Sequence, residues 1–473
     1  MTDFIRANWR ELDFLLVVAG LAVYVGVSQT LNQRRHPSAA IAWVLGILLV
    51  PWLALPLYLA FGSRKVAAFR ESPKPRSAPP AFAAAYPTML RSLQLGAAMG
   101  IPDPVSYTGL NIHEDGAQAL NALRRVIACA RAAIDVSTFL VGRDVLGDEI
   151  LQLLEQKARA GVRVRLLIDG IGIYMGGHFR LGRLADAGIE VVRFVPPFRS
   201  PKRGRTNLRN HRKMVIADGT SLWCGGRNLA AEYFEGDSRP IFRRKPWIDL
   251  SFDLSGDLVA QAREQFTRDW RYAIEKEAPP AAPAAAVRET GETMPPALAQ
   301  LVDSGPDRQD DTLFTLLVSA CFTSRRRILA VTPYFVPEPS LLIALTLAAR
   351  RGIEVDLVIP ERSNHRLADY ARHRALRDMV AAGARVWLHP RMVHAKAVLV
   401  DDELALVGSA NLDGRSLFLN YEMMIAFYDR QAVVNFARWV ESRRKECRPY
   451  LHRRPGRMRK MAEGLLLWLA FQL

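Results

Sequence analysis

One unit of sequence occurs twice in this chain, and the repeat restricts the fold more than any other feature. A helical run with Leu146, Ile150, Leu153 and Leu154 along one face ends at Gly161 and passes into the strand-like VRVRLLID, residues 162–169. Downstream, a helix over 340–350 leads through Gly352 into RGIEVDLVIP, residues 351–360, so that ARAGVRVRLLID and AARRGIEVDLVIP are visibly the same unit. The strand-like AIDVSTFL (133–140) and RILAVTPYF (327–335) precede the two copies in the same order. Strands alternating with helices in this way call for an α/β fold, and two copies call for two lobes. Residues 278–298, dense in Ala and Pro, are expected to link them.

Each copy also carries one polar set at one spacing. The first has His211, Lys213, Asp218 and, after Gly225 and Gly226, Asn228; the second has His394, Lys396, Asp401 and, after Gly408 and Ser409, Asn411. In both, Lys lies two residues after His, Asp seven and Asn seventeen. Residues i and i+2 of a strand share a face, so each His projects together with its Lys. The next strand and its small-residue turn bring Asn back to the same place, and two facing lobes would gather all six side chains at one cleft. A lone strand of this kind would be read as an exposed polar edge, but duplication with the same Asn offset argues against that account.

Such a set suits displacement at a phosphodiester. One His attacks phosphorus, the other protonates the leaving alkoxide, and Lys and Asn donors hold the non-bridging oxygens. Ser409 adds a hydroxyl toward phosphate that its counterpart Gly226 lacks. A nucleophilic imidazole must be neutral and fixed in one tautomer, which calls for a carboxylate behind each ring. Asp249, in the strand after the first motif, and Glu422, in the strand after the second, are the expected orienting pair, with Glu232 the competitor in the first lobe. Asp218 and Asp401 are grouped with the catalytic residues, although an Asp ending a strand equally caps a turn. No cluster has metal-ligand spacing and the lysine pair supplies the charge a metal would, so neither a metal nor a cofactor is expected.

The ends of the chain differ from its middle. Residues 14–33 and 37–63 hold no formal charge. Each is long enough to cross a ~30 Å hydrocarbon layer as a helix, so residues 1–66 are expected to form a transmembrane hairpin, kinked at Pro51 and Pro56. The competing accounts are a cleaved signal peptide, which needs no second span, and a pair of buried core helices. Arg6 and Arg10 before the hairpin and Arg64, Lys65, Arg70, Lys74 and Arg76 after it put the larger part of the chain on the cytoplasmic side, a bias that Arg34 and Arg35 in the loop reduce. Residues 67–107, rich in Pro and Ala, are expected to be mostly linker. Residues 453–473, where Arg453, Arg454, Arg457, Arg459 and Lys460 precede GLLLWLAFQL, suit a tail lying on an anionic interface, or a helix packed on its own domain. Seven basic residues lie between 199 and 213 and the net charge is +17, which suits a polyanion, either an anionic membrane or nucleic acid. The four cysteines are far apart, which argues against a disulfide framework or a zinc site.

Taken together these pieces resemble a known family. Paired HxKx4D motifs are the hallmark of the phospholipase D superfamily. Within it, VPWLALPLYLAFG, HRKMVIADG with GGRNLAAEYF, VTPYFVPEPSLL and HAKAVLVDDELALVGSANLDGRSLFLNYE are similar to the bacterial cardiolipin synthases, over nearly the whole chain. The resemblance implies an α/β fold of two duplicated phospholipase D-like lobes, residues 108–277 and 299–452. It also implies anionic phospholipid partners, the bacterial inner membrane as location, and conversion of two phosphatidylglycerols into cardiolipin and glycerol. His211 would carry a phosphatidyl-histidine while His394 acts as acid and then base, or the reverse. No nucleic acid partner is expected, since DNA cleavage has no use for a bilayer anchor. The competing functions are a related enzyme using phosphatidylethanolamine as donor or water as acceptor, a nuclease of the superfamily, and a membrane-anchored binding module.

Overall fold

The computed structural model describes residues 9–30, 37–62, 81–177, 181–196, 207–234, 245–274, 297–308 and 310–451, with Gly456 and Glu463. Two sheets of one strand plan account for most of these. The first lobe orders its seven strands as Thr108–Ile112, Ser251–Ser255, Ser221–Gly225, Met214–Ala217, Ala133–Thr138, Arg163–Asp169 and Ile189–Phe194. The second repeats the plan as Leu298–Ser304, Glu422–Phe427, Leu404–Gly408, Ala397–Val400, Arg327–Val331, Glu354–Pro360 and Arg385–His389, and adds short edge strands Val105–Ser106 and Arg448–Pro449. The last three strands of each plan are parallel, and the motif strand runs antiparallel beside them. The expected duplicated α/β fold is the one observed.

Local sequence accounts for the repeated helix. Asp144 accepts from Gly147 N as the cap of helix Val145–Arg159, whose Leu146, Ile150, Leu151 and Leu154 are buried. Gly161 then reverses the chain at φ +86°, a conformation that costs glycine little. Helices Leu258–Ala273 and Arg430–Arg444 occupy equivalent places after strands Ser251–Ser255 and Glu422–Phe427, and each touches both sheets. Between them Phe252, Phe266 and Trp270 of one lobe share a core with Phe427, Phe436 and Trp439 of the other. Burying a ring of this size stabilises by about 1.5–3 kcal/mol, so the lobes are welded rather than tethered.

Arg212, the middle residue of the first motif, pins this interface. It is fully buried; its Nε donates to Glu422 O (3.0 Å), one Nη donates to Ser304 O (3.1 Å), and the other pairs with Asp269. Arg209 is buried too, donating to Asp169 (3.2 Å) and to Val195 O (3.1 Å). These two arginines therefore belong to the interior, not to a basic surface arm. Arg199, Lys202, Arg203 and Arg205 lie outside the described residues.

Two expectations at the N-terminal side change. The second uncharged run is not one helix but two, Pro37–Leu49 and Pro51–Phe61, because the non-helical Val50 precedes a proline at the first helical position. With Trp9–Thr30 they form a small packed group, in which Tyr58 meets Tyr24 and Trp43 at ring distances of 5.4 and 5.2 Å. No helix among the described residues is long and apolar enough to cross a membrane. Part of the expected linker, in turn, belongs to the second lobe. Helix Pro87–Ala98 buries Met89 and Leu93 against Leu313, Leu316 and Leu317, and the Glu403 carboxylate caps it by accepting from Thr88 N (2.7 Å) and Met89 N (3.3 Å). The Ala- and Pro-rich composition hides these few apolar positions, three and four residues apart. Most of 278–298 and of the C-terminal tail lies outside the described residues, although Glu463 is buried and pairs with Arg377 (3.2 Å).

Replacing Arg212 by Ala leaves Asp269 and two carbonyls buried without their donor. Breaking a buried pair costs about 3–5 kcal/mol, so calorimetry of Arg212→Ala should show both lobes melting together at a clearly lower temperature.

Candidate active site

Two isolated backbone bridges between the lobes, Asn210 with Tyr421 and Val393 with Ile248, assemble the cleft. His211 N donates to Tyr421 O (2.9 Å), and His394 N donates to Ile248 O (2.6 Å). Each acceptor immediately precedes a carboxylate in sequence, so backbone register lays each histidine against the acid of the opposite lobe. His394 Nδ1 lies 2.7 Å from Asp249 Oδ2, and His211 Nδ1 lies 3.3 Å from Glu422 Oε1. The two acids are those expected, but each faces the motif of the opposite lobe. Glu232 is not the acid at either ring; its carbonyl accepts from Trp247 N (2.8 Å).

Charge in the cleft is balanced between these acids and the two lysines. Burial opposes ionisation of Asp249, but His394 and Lys396 bring its carboxyl down to about 2. Glu422 is likewise held below the ordinary range against burial, by His211, Lys213 and the Ser409 hydroxyl. Burial and Lys396 push His394 down to about 4 despite Asp249, and burial and Lys213 lower His211 despite Glu422. Burial alone is the leading cause for the lysines, which fall to about 8 at Lys213 and about 7 at Lys396. Both imidazoles are therefore neutral at pH 7, with Nδ1–H turned to a carboxylate and Nε2 left with its lone pair. Phe139 at 4.6 Å from the His211 ring, and Tyr233 and Trp247 at 5.1 and 5.4 Å from His394, restrict rotation of the rings. Lys213 Nζ donates to His211 O (2.6 Å), and Lys396 Nζ lies 2.9 Å from His394 Nε2.

The other expected site residues divide. Asn228 and Asn411 are buried at the turns next to the motif strands, Asn228 donating to the Tyr233 hydroxyl (2.8 Å) and Asn411 bonded to Asp413. Ser409 turns to an acid: its hydroxyl donates to Glu422 Oε2 (2.6 Å) and accepts from Met423 N (2.9 Å). The Gly226 counterpart has a reason, since a Cβ there would stand 2.2 Å from Asp249 Oδ1. The longer acid thus goes with Ser and the shorter with Gly. Asp218 and Asp401 sit at the far end of the motif strands from the histidines, about 23 Å of extended chain away. Both adopt left-handed φ, +52° and +53°. Asp218 accepts from the backbone N–H groups of Arg131, Ala132 and Ala133, and Asp401 from those of Arg325, Arg326 and Arg327. The expected catalytic part of these two is corrected to a structural one, clamping the turn to the start of the neighbouring strand.

Sequence reasoning missed an asymmetry behind the acids. Arg227, buried and bonded to Tyr233 O (2.9 Å) and the Ser251 hydroxyl (3.0 Å), stands behind Asp249, whereas its counterpart is Ala410. Behind Glu422 stands Asp413, whose carboxyl burial pushes up to about 6. The GGRN against GSAN comparison was the available signal for Arg227; nothing in the spacing marks Asp413. Among the described residues no group of three His, Cys, Asp or Glu side chains converges as metal ligands.

Asp218→Ala should cost stability without disabling the cleft. Burial disfavours its charge, but the three backbone bonds hold the carboxyl below its ordinary range. Its contribution is therefore full at neutral pH and is lost as pH falls through the lowered value. A melt of the variant should show a loss of about 1 kcal/mol at pH 7, since solvent screens this partly open carboxylate, that shrinks in acid, with turnover per folded molecule retained.

Residues 123–270 and 318–444 match the family model described as cardiolipin synthase, PLD-like domain, and residues 16–63 match the phospholipase D-nuclease N-terminal model. Cardiolipin synthase A of Pseudomonas aeruginosa (strain LESB58) is 32% identical over 434 residues, covering 88% of this chain and 86% of that one. Cardiolipin synthase A of Pseudomonas putida (strain W619) is 30% identical over 454 residues, covering 92% of each. Among solved structures, the phosphatidylserine synthase of Haemophilus influenzae Rd KW20 superposes with a TM-score of 0.61 at 14% identity, over 81% of this chain and all of that one, a likeness of fold. With its duplicated lobes and paired motifs, the chain belongs to the cardiolipin synthase family of the phospholipase D superfamily.

Proposed function

We propose that this chain is a phosphatidyltransferase that joins two phosphatidylglycerols into cardiolipin and releases glycerol. The carrying observation is the pair of carboxylate-backed histidines facing one cleft with two lysines. The names of its relatives support cardiolipin as the product.

His211 is the nucleophile in this reading. Its side chain is the more open, 24% exposed against 9% for His394, and its acid lacks the buried arginine that stands behind Asp249. Nε2 of His211 attacks phosphorus, the bond from phosphorus to the glycerol oxygen breaks, and His394 gives that oxygen a proton. The bound phosphate adds the negative charge that favours a proton on His394. His394, then neutral, removes the proton from a hydroxyl of the second lipid, whose oxygen displaces His211 from phosphorus. Lys213, Lys396, Asn228 and Asn411 hold the non-bridging oxygens. The apolar helices at residues 9–61 serve as the anchor in a bacterial inner membrane, with the lobes at 108–277 and 299–452 on its cytoplasmic face and residues 81–107 built onto the second lobe.

Purified full-length protein given labelled phosphatidylglycerol should produce cardiolipin and glycerol in equal amounts, without added metal or nucleotide. Phosphatidic acid as the product would make water the acceptor and overturn the transfer reading. His211→Ala and His394→Ala should each lower turnover by about 10³-fold or more, while Glu422→Gln retains part of it. The lysines lose their charge above about 7 at Lys396 and about 8 at Lys213, so kcat/KM should fall as pH rises through that range. Lys396→Arg keeps its charge and should remove the lower step from the profile.

A further inference from the structure

We propose that the cleft opens onto the bilayer through two apolar lips, one from each lobe, which dock on an anionic lipid surface; the inference rests on the lipid reading above. The first lip is the short helix Gly172–Gly176, at the C-terminal end of strand Arg163–Asp169. It carries Tyr174, 54% exposed, and Met175, 66% exposed. It is pressed on the segment bearing the Phe139 ring that meets His211: a Cβ at Gly172 would come 1.6 Å from Phe139 O, and one at Gly176 2.0 Å from Val141 O. The second lip is the start of helix Arg366–Ala381, which follows the equivalent strand Glu354–Pro360 and exposes Leu367 (48%) and Tyr370 (57%).

The topology puts both lips at the mouth. Strands Ala133–Thr138 and Arg163–Asp169 run parallel, and the motif strand returns antiparallel with Met214 opposite Ser137, so His211 lies beyond the same end as the first lip. In the second lobe Val331 pairs with Ala397, which places His394 and the second lip alike. The two interlobe bridges join the lobes at these ends. Arg143, Arg362 and Arg366 are exposed beside the lips. Tyrosine, Met and Leu rimmed by arginine match the chemistry of an anionic lipid interface, where rings sit at headgroup depth and guanidinium groups meet phosphate. That charge complementarity, and the position astride a cleft taken to act on lipid phosphate, select a bilayer over a protein partner.

The test compares two presentations of one headgroup to the full-length enzyme: phosphatidylglycerol within liposomes, and short-chain phosphatidylglycerol dissolved as monomers. The double variants Tyr174→Asp/Met175→Asp and Leu367→Asp/Tyr370→Asp should each lose about tenfold or more of the liposome activity and keep the monomer activity. Equal loss on both substrates, or no loss on either, would overturn the docking. A second readout is independent of turnover: Met175→Cys in a Cys129→Ala background, labelled with an environment-sensitive fluorophore. A blue shift with quenching by brominated lipids supports the inference even if no cardiolipin forms, which would instead defeat the transferase reading. A blue shift without vesicles that grows with protein concentration would assign the face to a second copy of the chain.

Discussion

Two backbone hydrogen bonds, from His211 N to Tyr421 O and from His394 N to Ile248 O, determine where everything else in the cleft lies. A main-chain bond fixes its residue more firmly than any side-chain contact, and each of these places the next residue, Glu422 or Asp249, behind the opposing ring. The crossed arrangement means that neither lobe holds a complete histidine–acid pair by itself. Arg212 adds to the coupling, since it leaves the first motif and ends on the carbonyls of Glu422 and Ser304 in the second lobe. The shared aromatic core makes that coupling stable, and the cleft exists only as a property of the docked pair.

The same burial that stabilises the interface sets the chemistry. A buried lysine is costly in its charged form, which lowers both towards neutrality, and the charge of Lys213 lowers Lys396 further. An anionic phosphate relieves both effects at once. The cleft therefore carries an electrostatic cost that substrate charge removes, the sense in which polar groups are preorganised for reaction. Burial and the neighbouring lysines keep the histidines from joining that cationic field, while Asp249 and Glu422, kept ionised, pull the other way and hold the rings in place.

The fold was legible where the sequence repeats itself, because the same helix–glycine–strand unit folds the same way twice. The histidines and lysines were legible because strand periodicity brings i and i+2 to one face. The acids were found by type, yet their crossing was not, since it depends on register between lobes about two hundred residues apart, of which local spacing holds no trace. Asp218 and Asp401 stand inside the motif by spacing but outside the cleft by geometry: a four-residue strand separates them from the rings. Ser409 was assigned to phosphate because a hydroxyl near a small-residue turn suits that ligand; the structure gives the hydroxyl to Glu422 instead. Composition also concealed helix Pro87–Ala98, whose stability comes from a distant partner and not from its own pattern.

That distant partner has a consequence for how the chain is made. Thr88 is capped by a residue 315 positions later, and Val105–Ser106 pairs with a strand beginning at Leu298. At a synthesis rate of about 5–20 residues per second, the segment leaving the N-terminal helices waits roughly 15–60 s for Glu403 to emerge. In the later part of that interval the completed first lobe displays Phe252 and its neighbours with no second sheet to cover them. Nascent chains of this architecture are thus exposed to mispairing with each other at the ribosome, and the first lobe's apolar face is where a chaperone would have its longest opportunity to bind.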